Sequence, residues 1–162
     1  MPSALPDGEP VPPSGALPAG VVASSPFGVY VHVPFCRTRC GYCDFNTYTD
    51  LGGLQASYAG TVVQELQLAR RVLGEVPPVE TVFVGGGTPT LLPAADLALP
   101  LKSIDSELGL APGAEVTTEA NPDSVDARSL AALREAGFTR ISFGMQSAAP
   151  HVLAALDRTH TP

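Results

Sequence analysis

Hydrophobic residues recur along this chain in two alternating patterns. Short runs rich in β-branched and aromatic residues are typical of strands, and longer segments with an apolar residue every three or four positions are typical of helices. The runs predict four strands, at residues 28–33, 79–84, 114–119 and 138–143. The longer segments predict four helices, at residues 54–73, 94–108, 126–136 and 149–157. Strands and helices therefore alternate four times.

The breaks between these segments carry residues that end or disturb helices. Gly74 follows the first predicted helix and Gly137 the third, each where glycine commonly terminates a helix. Pro100 falls inside the second helix, where it removes a backbone donor, so the sequence predicts a kink or an interruption at that point.

Helical crossovers between successive strands predict a parallel sheet with right-handed connections. The fold class is therefore α/β, either an open sheet or a β/α barrel with helices outside. In both architectures, functional sites gather at the carboxyl ends of the strands. Those ends carry a cysteine loop, the run Gly85-Gly86-Gly87, Glu119 and Gln146. We expect these groups to lie along one rim.

Composition adds a domain boundary and limits the partners. Residues 1–26 are rich in Pro, Ala, Gly and Ser without apolar periodicity, which predicts a disordered leader before a single domain at residues 27–162. The formal net charge of −7 leaves no basic stripe for nucleic acid. No stretch approaches the about 20 apolar residues of a membrane span, and clustered thiols suit a reducing compartment, so we expect a cytoplasmic protein without evident membrane contact.

All three cysteines of the chain, Cys36, Cys40 and Cys43, fall in one short loop with the spacing C-x3-C-x2-C. Three thiolates leave one corner of a four-iron cluster open to a substrate or cofactor, and this is the favoured interpretation. A zinc site completed by His32 is an alternative, although structural zinc usually takes four ligands from two paired arms. A disulfide would leave one cysteine over, and buried free thiols are the third alternative.

The other strand ends carry weaker signals. The glycine run lacks the Lys-Ser/Thr of a phosphate loop, and Thr90 stands where a dinucleotide motif needs glycine, so phosphate binding is disfavoured. The run suits either close approach to a small ligand or a tight turn without one. Glu119 requires a polar partner, either a ligand group or Arg140. Gln146 is suited to holding a ligand or capping a turn. His32 is suited either to a place in the core or to proton handling.

Four ordered motifs resemble those of the radical S-adenosylmethionine superfamily. The cysteine loop has an aromatic residue, Tyr42, before its last cysteine, as that superfamily does. Together the motifs resemble the branch that holds oxygen-independent coproporphyrinogen III oxidase and the heme chaperone HemW. The motifs are Tyr-Val-His-Val-Pro-Phe-Cys, Gly-Gly-Gly-Thr-Pro-Thr, Glu-Ala-Asn-Pro and Arg-Ile-Ser-Phe-Gly-Met-Gln-Ser, and the resemblance runs from about Val29 to the end of the chain.

The resemblance implies a [4Fe-4S] cluster on Cys36, Cys40 and Cys43, with S-adenosylmethionine chelating the fourth iron and releasing a 5′-deoxyadenosyl radical after one-electron reduction. By motif, it assigns cofactor contacts to eight further residues. Two of them are tyrosines, three lie in or directly after the glycine run, and three end or follow later strands: Tyr30, Tyr42, Gly86, Gly87, Thr88, Glu119, Gln146 and Arg158.

One departure separates the two branch members. The oxidase has a further cysteine two positions after the last cluster ligand, where this chain has Phe45. The resemblance therefore favours a heme chaperone, with heme as cargo, a heme-accepting protein and an electron donor as partners, over porphyrinogen oxidation. A zinc-stabilised domain without catalytic activity is the remaining alternative.

Length is the second departure. A barrel of this family has six strand–helix units and a carboxyl-terminal region, whereas four units are predicted within the 162 residues here. We therefore expect residues 27–162 to form the amino-terminal part of a core domain, an incomplete barrel.

Overall fold

The computed structural model describes Gly15, Leu17 and residues 26–161. The predicted leader over residues 1–26 lies almost entirely outside these described residues. From Gly28 onward, strands and helices alternate four times, as predicted, with short 3-10 turns at residues 52–54, 89–91 and 122–124. The elements are β1 Gly28–Val33, α1 Gln55–Leu73, β2 Val79–Gly86, α2 Ala94–Leu108, β3 Leu110–Ala120, α3 Ala127–Glu135, β4 Arg140–Phe143 and α4 Pro150–Ala155.

The four strands form one parallel sheet in the order β1-β2-β3-β4. Each strand therefore lies beside its successor in sequence, which confirms the parallel α/β prediction. Val31 of β1 is opposite Val84 of β2, and Thr118 of β3 is opposite both Val84 and Ile141 of β4. This register brings the carboxyl ends of all four strands to one rim.

The hydrophobic core lies between the sheet and its helices. Valines from β1, β2 and β3 pack against leucines and an isoleucine of α1, α2 and α3, and Ile104 and Val33 are fully buried. The opposite face of the sheet carries the ion pair between Glu115 and Arg140. The ring of the exposed Tyr30 stacks on Phe83 on that same face. The sheet therefore has one packed face and one open face.

Strand β3 is longer and less regular than predicted. It begins at Leu110 rather than near residue 114. Val79 pairs with Leu110 but Thr81 pairs with Glu115, so two steps along β2 match five along β3. Gly113 has a φ of +79°, a conformation that glycine adopts without strain, and it lies inside the irregular stretch.

Helix α2 runs through Pro100 without a break, so the predicted interruption is wrong. Proline removes one backbone hydrogen bond, but Pro100, Leu97, Leu101 and Ile104 are all buried. Burial of this face against α1 and the sheet outweighs the lost hydrogen bond.

Within the described part of the chain, none of the helices is both long and apolar enough to cross a membrane.

Candidate functional site

The predicted groups do gather at the carboxyl rim of the sheet. The cysteine loop follows β1, the glycine run ends β2, Glu119 lies at the end of β3 and Gln146 lies beyond β4. They surround an open cavity of about 440 Å³. Ten of the eleven residues predicted to hold a cluster or cofactor line it: Cys36, Cys40, Tyr42, Cys43, Gly86, Gly87, Thr88, Glu119, Gln146 and Arg158.

Tyr30 is the predicted residue that does not line this cavity. It lies on the open face of β1, 57% exposed, with its ring stacked on Phe83. Its hydroxyl is 2.9 Å from Nδ1 of His32, whose Nε2 is 2.8 Å from the Asn46 carbonyl oxygen. Partial burial, and then the charge of Glu119, raise the pKa of Tyr30. Through His32, Tyr30 is linked to the Asn46 carbonyl in the segment after Cys43.

The cysteine loop is closed at its base by backbone hydrogen bonds. The Cys36 amide donates to the Tyr48 carbonyl at 3.0 Å, and the Tyr48 amide donates to the Pro34 carbonyl at 2.8 Å. Phe35, between the two, is buried in the core. The three thiols are half-buried and free of disulfide bonds. The loop therefore presents three free thiols from a fixed base.

The glycine run packs directly against that base. The Gly87 amide donates to the Val33 carbonyl and the Thr88 amide to the Phe35 carbonyl, both at 2.7 Å. A Cβ on Gly87 would lie 2.5 Å from the Phe35 carbonyl oxygen, and Gly86 has a φ of +112°. These two positions therefore require glycine for packing and backbone conformation, whether or not a ligand approaches them.

Glu119 is held by the glycine run rather than by an arginine. Its Oε2 accepts a hydrogen bond from the Gly86 amide at 3.0 Å. Arg140, the alternative partner predicted from sequence, instead lies 3.6 Å from Glu115. Glu119 also lines the cavity, so its second carboxylate oxygen can face a ligand there.

Arg158 joins three parts of the rim. Its Nη2 donates to the Asn121 Oδ1 at 2.6 Å and to the Gly144 carbonyl at 2.5 Å, and its Nη1 is 3.6 Å from the Cys40 Sγ. Its Nε is buried without a hydrogen-bond partner among the described residues. Arg158 itself lines the cavity, so its guanidinium places a positive charge beside the cysteine loop.

Tyr42 and Gln146 lie at the mouth of the cavity. Partial burial, and then the neighbouring Cys40 thiol, raise the pKa of Tyr42. Gln146 has a φ of +63°, which is uncommon outside glycine and is often found at functional sites. Both side chains are exposed.

Sequence reasoning missed two residues of the rim. Asn121 was named only within the Glu-Ala-Asn-Pro motif and given no role of its own, yet it contacts both Thr88 and Arg158. Asp157 precedes Arg158 and accepts a hydrogen bond from the Gly41 amide in the cysteine loop. The signal for Asn121 was its place in a strand-end motif, whereas nothing local indicated a role for Asp157.

The donor set suits a multi-iron cluster, because three free thiols lie in one loop and line one cavity. In the described residues, no three or more His, Cys, Asp or Glu side chains converge as a single-ion site. Two of the sulfurs also have nearby donors, Thr88 for Cys36 and Arg158 for Cys40, as negatively charged sulfur clusters favour.

The chain is similar to proteins named as heme chaperones. It is 56% identical over 140 residues to the heme chaperone HemW of Mycobacterium tuberculosis, covering 85% of this chain and 36% of that protein. It is 36% identical over 143 residues to HemW of Escherichia coli, covering 88% and 38%. A mitochondrial radical S-adenosyl methionine domain-containing protein of mouse is 40% identical over 147 residues, covering 91% and 33%.

These matches leave much of each relative uncovered, because the chain spans about a third of the length of the relatives it matches. Among solved structures, coproporphyrinogen III oxidase from Escherichia coli, described as a radical SAM enzyme, superposes with a TM-score of 0.73. It is 28% identical, and the match covers 83% of this chain and 31% of that one. This superposition confirms the predicted fold class.

The family comparison agrees with the relatives and with the fold. The model of the Radical SAM superfamily matches residues 30–162, which include the cysteine loop and the later strand-end motifs. This chain therefore belongs to the radical SAM superfamily.

Proposed function

We propose that this chain holds a [4Fe-4S] cluster and S-adenosylmethionine, and that the protein binds heme and delivers it to recipient proteins. The observation that carries the proposal is one cavity lined by three free cysteines, Glu119 and Arg158. Residues 27–162 would then be the amino-terminal part of a radical SAM core, an incomplete barrel.

For the cluster, Cys36, Cys40 and Cys43 are the proposed ligands. Their half-burial limits exchange with solvent, and the nearby Arg158 guanidinium offsets negative charge. When bound, such a cluster supplies one electron to the sulfonium of S-adenosylmethionine. The chain's own contribution is to fix the thiols on a closed loop and to leave space beside them.

For S-adenosylmethionine, we assign complementary groups around the cavity. Glu119 supplies a negative charge suited to the ammonium group, and the Arg158 guanidinium, which lines the same cavity, supplies a positive charge suited to a carboxylate. Gly86, Gly87 and Thr88 present backbone along one wall. The remaining proposed contacts are Tyr42, Gln146 and, from the neighbouring open face, Tyr30.

Two observations favour heme delivery over porphyrinogen oxidation. The relatives with the higher identities include proteins named as heme chaperones. Phe45, which stands where the oxidase has a cysteine, is 56% exposed and lines the cavity, so no further thiol is offered there. The proposed partners are heme, a heme-accepting protein and an electron donor, and the free thiols support a cytoplasmic location.

The cluster is tested by spectroscopy of anaerobically reconstituted protein. We expect an iron–sulfur absorption band and, after reduction, an electron paramagnetic resonance signal that changes when S-adenosylmethionine is added. Cys36→Ala should lose the signal, whereas Thr49→Ala, an exposed loop position outside the cavity lining, should keep it. Folded protein that binds zinc instead of a cluster would overturn the proposal.

Heme delivery is tested separately from the cluster. Protein loaded with heme should transfer it to an apo heme protein, followed by the absorption change of the acceptor, with little 5′-deoxyadenosine released. Catalytic release of 5′-deoxyadenosine with coproporphyrinogen III, without heme transfer, would instead support the oxidase.

A further inference from the structure

We propose that Asn121 is a positioning residue that aims the Thr88 hydroxyl at the Cys36 sulfur and thereby raises the reduction potential of the cluster. This inference rests on the proposed cluster site. Asn121 lies between two groups that each reach a different cysteine: Thr88, whose Oγ1 is 4.0 Å from the Cys36 Sγ, and Arg158, whose Nη1 is 3.6 Å from the Cys40 Sγ.

The direction of each hydrogen bond follows from Arg158. A guanidinium only donates, so the Asn121 atom 2.6 Å from its Nη2 must be the carbonyl Oδ1. The amide Nδ2 then faces the Thr88 Oγ1 at 3.2 Å and donates to it. Because Thr88 accepts this hydrogen bond, its own proton is free to point toward the Cys36 sulfur. Arg158 therefore fixes the amide, and the amide directs the hydroxyl.

Asn121 is held firmly enough to impose this direction. Its backbone amide donates to the Ser124 Oγ at 3.0 Å, and that hydroxyl donates back to the Asn121 carbonyl at 2.7 Å. The Thr90 hydroxyl lies 2.6 Å from the same Ser124 oxygen. The turn after β3 is therefore anchored to the glycine-run loop independently of the Asn121 side chain, which leaves that side chain to act on Thr88 and Arg158.

The consequence for the cluster is electrostatic. A donor aimed at a cysteine sulfur stabilises the more negative, reduced state, and hydrogen bonds to the sulfurs are among the terms that set cluster potentials. Thr88 is buried, so its hydroxyl is little screened by water. The Cys36 sulfur thus receives its donor through the Asn121 amide, whereas the Cys40 sulfur faces Arg158, the residue that fixes that amide.

Asn121→Asp is the informative variant. A carboxylate still accepts from Arg158, but it cannot donate, so the Thr88 hydroxyl turns to the carboxylate and leaves Cys36 without its donor. The added negative charge lowers the potential as well. The hydroxyl contribution is separated from the charge by making the same change in a Thr88→Val background, where there is no hydroxyl to redirect.

The experiment is a redox titration of the reconstituted protein, followed by electron paramagnetic resonance at equal cluster content. We expect Asn121→Asp to lower the midpoint potential by more in the Thr88 protein than in Thr88→Val. We expect Thr88→Ser to retain a potential near that of the unaltered protein, because it keeps the hydroxyl. If Asn121→Asp takes up no cluster, Asn121→Ala is compared in the same two backgrounds. Alanine removes the amide that directs the Thr88 hydroxyl to the sulfur, so we again expect the larger fall in potential in the Thr88 protein.

Equal shifts in the two backgrounds would overturn the inference, since charge or general disturbance would then explain the whole effect. A Thr88→Val potential identical to that of the unaltered protein would also overturn it. These outcomes occur with the cluster present and leave the proposed function intact. An unaltered protein that folds but takes up no cluster would overturn both.

Discussion

The backbone amide of Gly41 donates a hydrogen bond to the Asp157 carboxylate across 116 residues of sequence, with N and Oδ2 3.2 Å apart. This contact links the cysteine loop, which follows β1, to the residue two positions beyond α4. The next residue, Arg158, contacts Cys40, so two consecutive residues hold the same loop.

Asp157→Ala should loosen the cysteine loop. It removes the acceptor for Gly41, and a hydrogen bond of this kind contributes about 0.5–1.5 kcal/mol. The expected result is faster hydrogen exchange at the Gly41 amide, measured by NMR, with unchanged exchange in β2. Asp157→Asn is the control, because it keeps an oxygen acceptor and tolerates the observed φ of +54°. Equal Gly41 exchange in Asp157→Ala and the unaltered protein would contradict the prediction.

Gly87→Ala should destabilise the fold. The new Cβ would lie 2.5 Å from the Phe35 carbonyl oxygen, a backbone atom that cannot move without shifting the cysteine loop. Overpacking of this kind costs about 1–3 kcal/mol in the free energy of unfolding, measured by urea denaturation.

Gly60→Ala is the matched control for that substitution. Gly60 lies in α1, exposed, with no atom within 4 Å of the added Cβ. The change should therefore stabilise the protein, by about 0.5–1 kcal/mol, because alanine favours the helix. A loss of stability at both positions would show that the close approach at Gly87 is not the cause.

Tyr58 should ionise at higher pH than an ordinary tyrosine. Burial, and then the charges of Glu65 and Tyr30, raise the pKa of Tyr58 to about 12, and its hydroxyl donates to the His32 carbonyl at 2.5 Å. An unfolded tyrosine ionises near pH 10, roughly. The unfolded state therefore loses its proton first, so this contribution to stability is complete below about pH 10 and is lost as the pH rises toward the folded pKa.

The measurement is a titration of tyrosinate absorbance in the folded protein. Tyr58→Phe should remove the step at the highest pH and weaken the decline of stability in alkali. Retention of that step in the variant would assign it to another tyrosine.

Asp126 should give α3 an acid-sensitive start. Its carboxylate accepts from the Ser129 amide at 2.7 Å, and this hydrogen bond is the main cause that lowers the pKa of Asp126 below its usual value of 3.8. The stabilisation is therefore present above that value and is lost as the pH falls through the lowered pKa. Asp126→Asn should keep the cap but lose this pH dependence, seen as a flatter plot of unfolding free energy against pH in acid. An unchanged slope would contradict the assignment.

The alternation of strands and helices was predictable because each apolar run has a clear period and a clear stop, such as Gly74 after α1. The gathering of the cysteines, Glu119 and Gln146 at one rim followed from parallel pairing alone. The irregular stretch of β3 was not predictable, since it depends on how Leu110 and Glu115 pair with β2 rather than on any local pattern.

Partners of the site residues were harder to predict than their positions. Glu119 is held by a backbone amide of the glycine run, and Arg140 pairs with another acid, because register rather than sequence distance decides which groups meet. Pro100 was judged by its local cost alone, and burial on α2 exceeded that cost. Tyr30 lies on the open face of β1 and does not line the cavity, so its contact with the cofactor stays a prediction.

The paired backbone hydrogen bonds between Pro34, Cys36 and Tyr48 make the cysteine loop a closed ring before anything binds in it. Most of the entropy lost on closing a loop of this length is therefore lost when the domain folds, and little remains to be lost on ligand uptake. If a bound cluster is released, the sheet and helices should therefore still unfold in one cooperative transition, and the added motion should be confined to the tip of the ring.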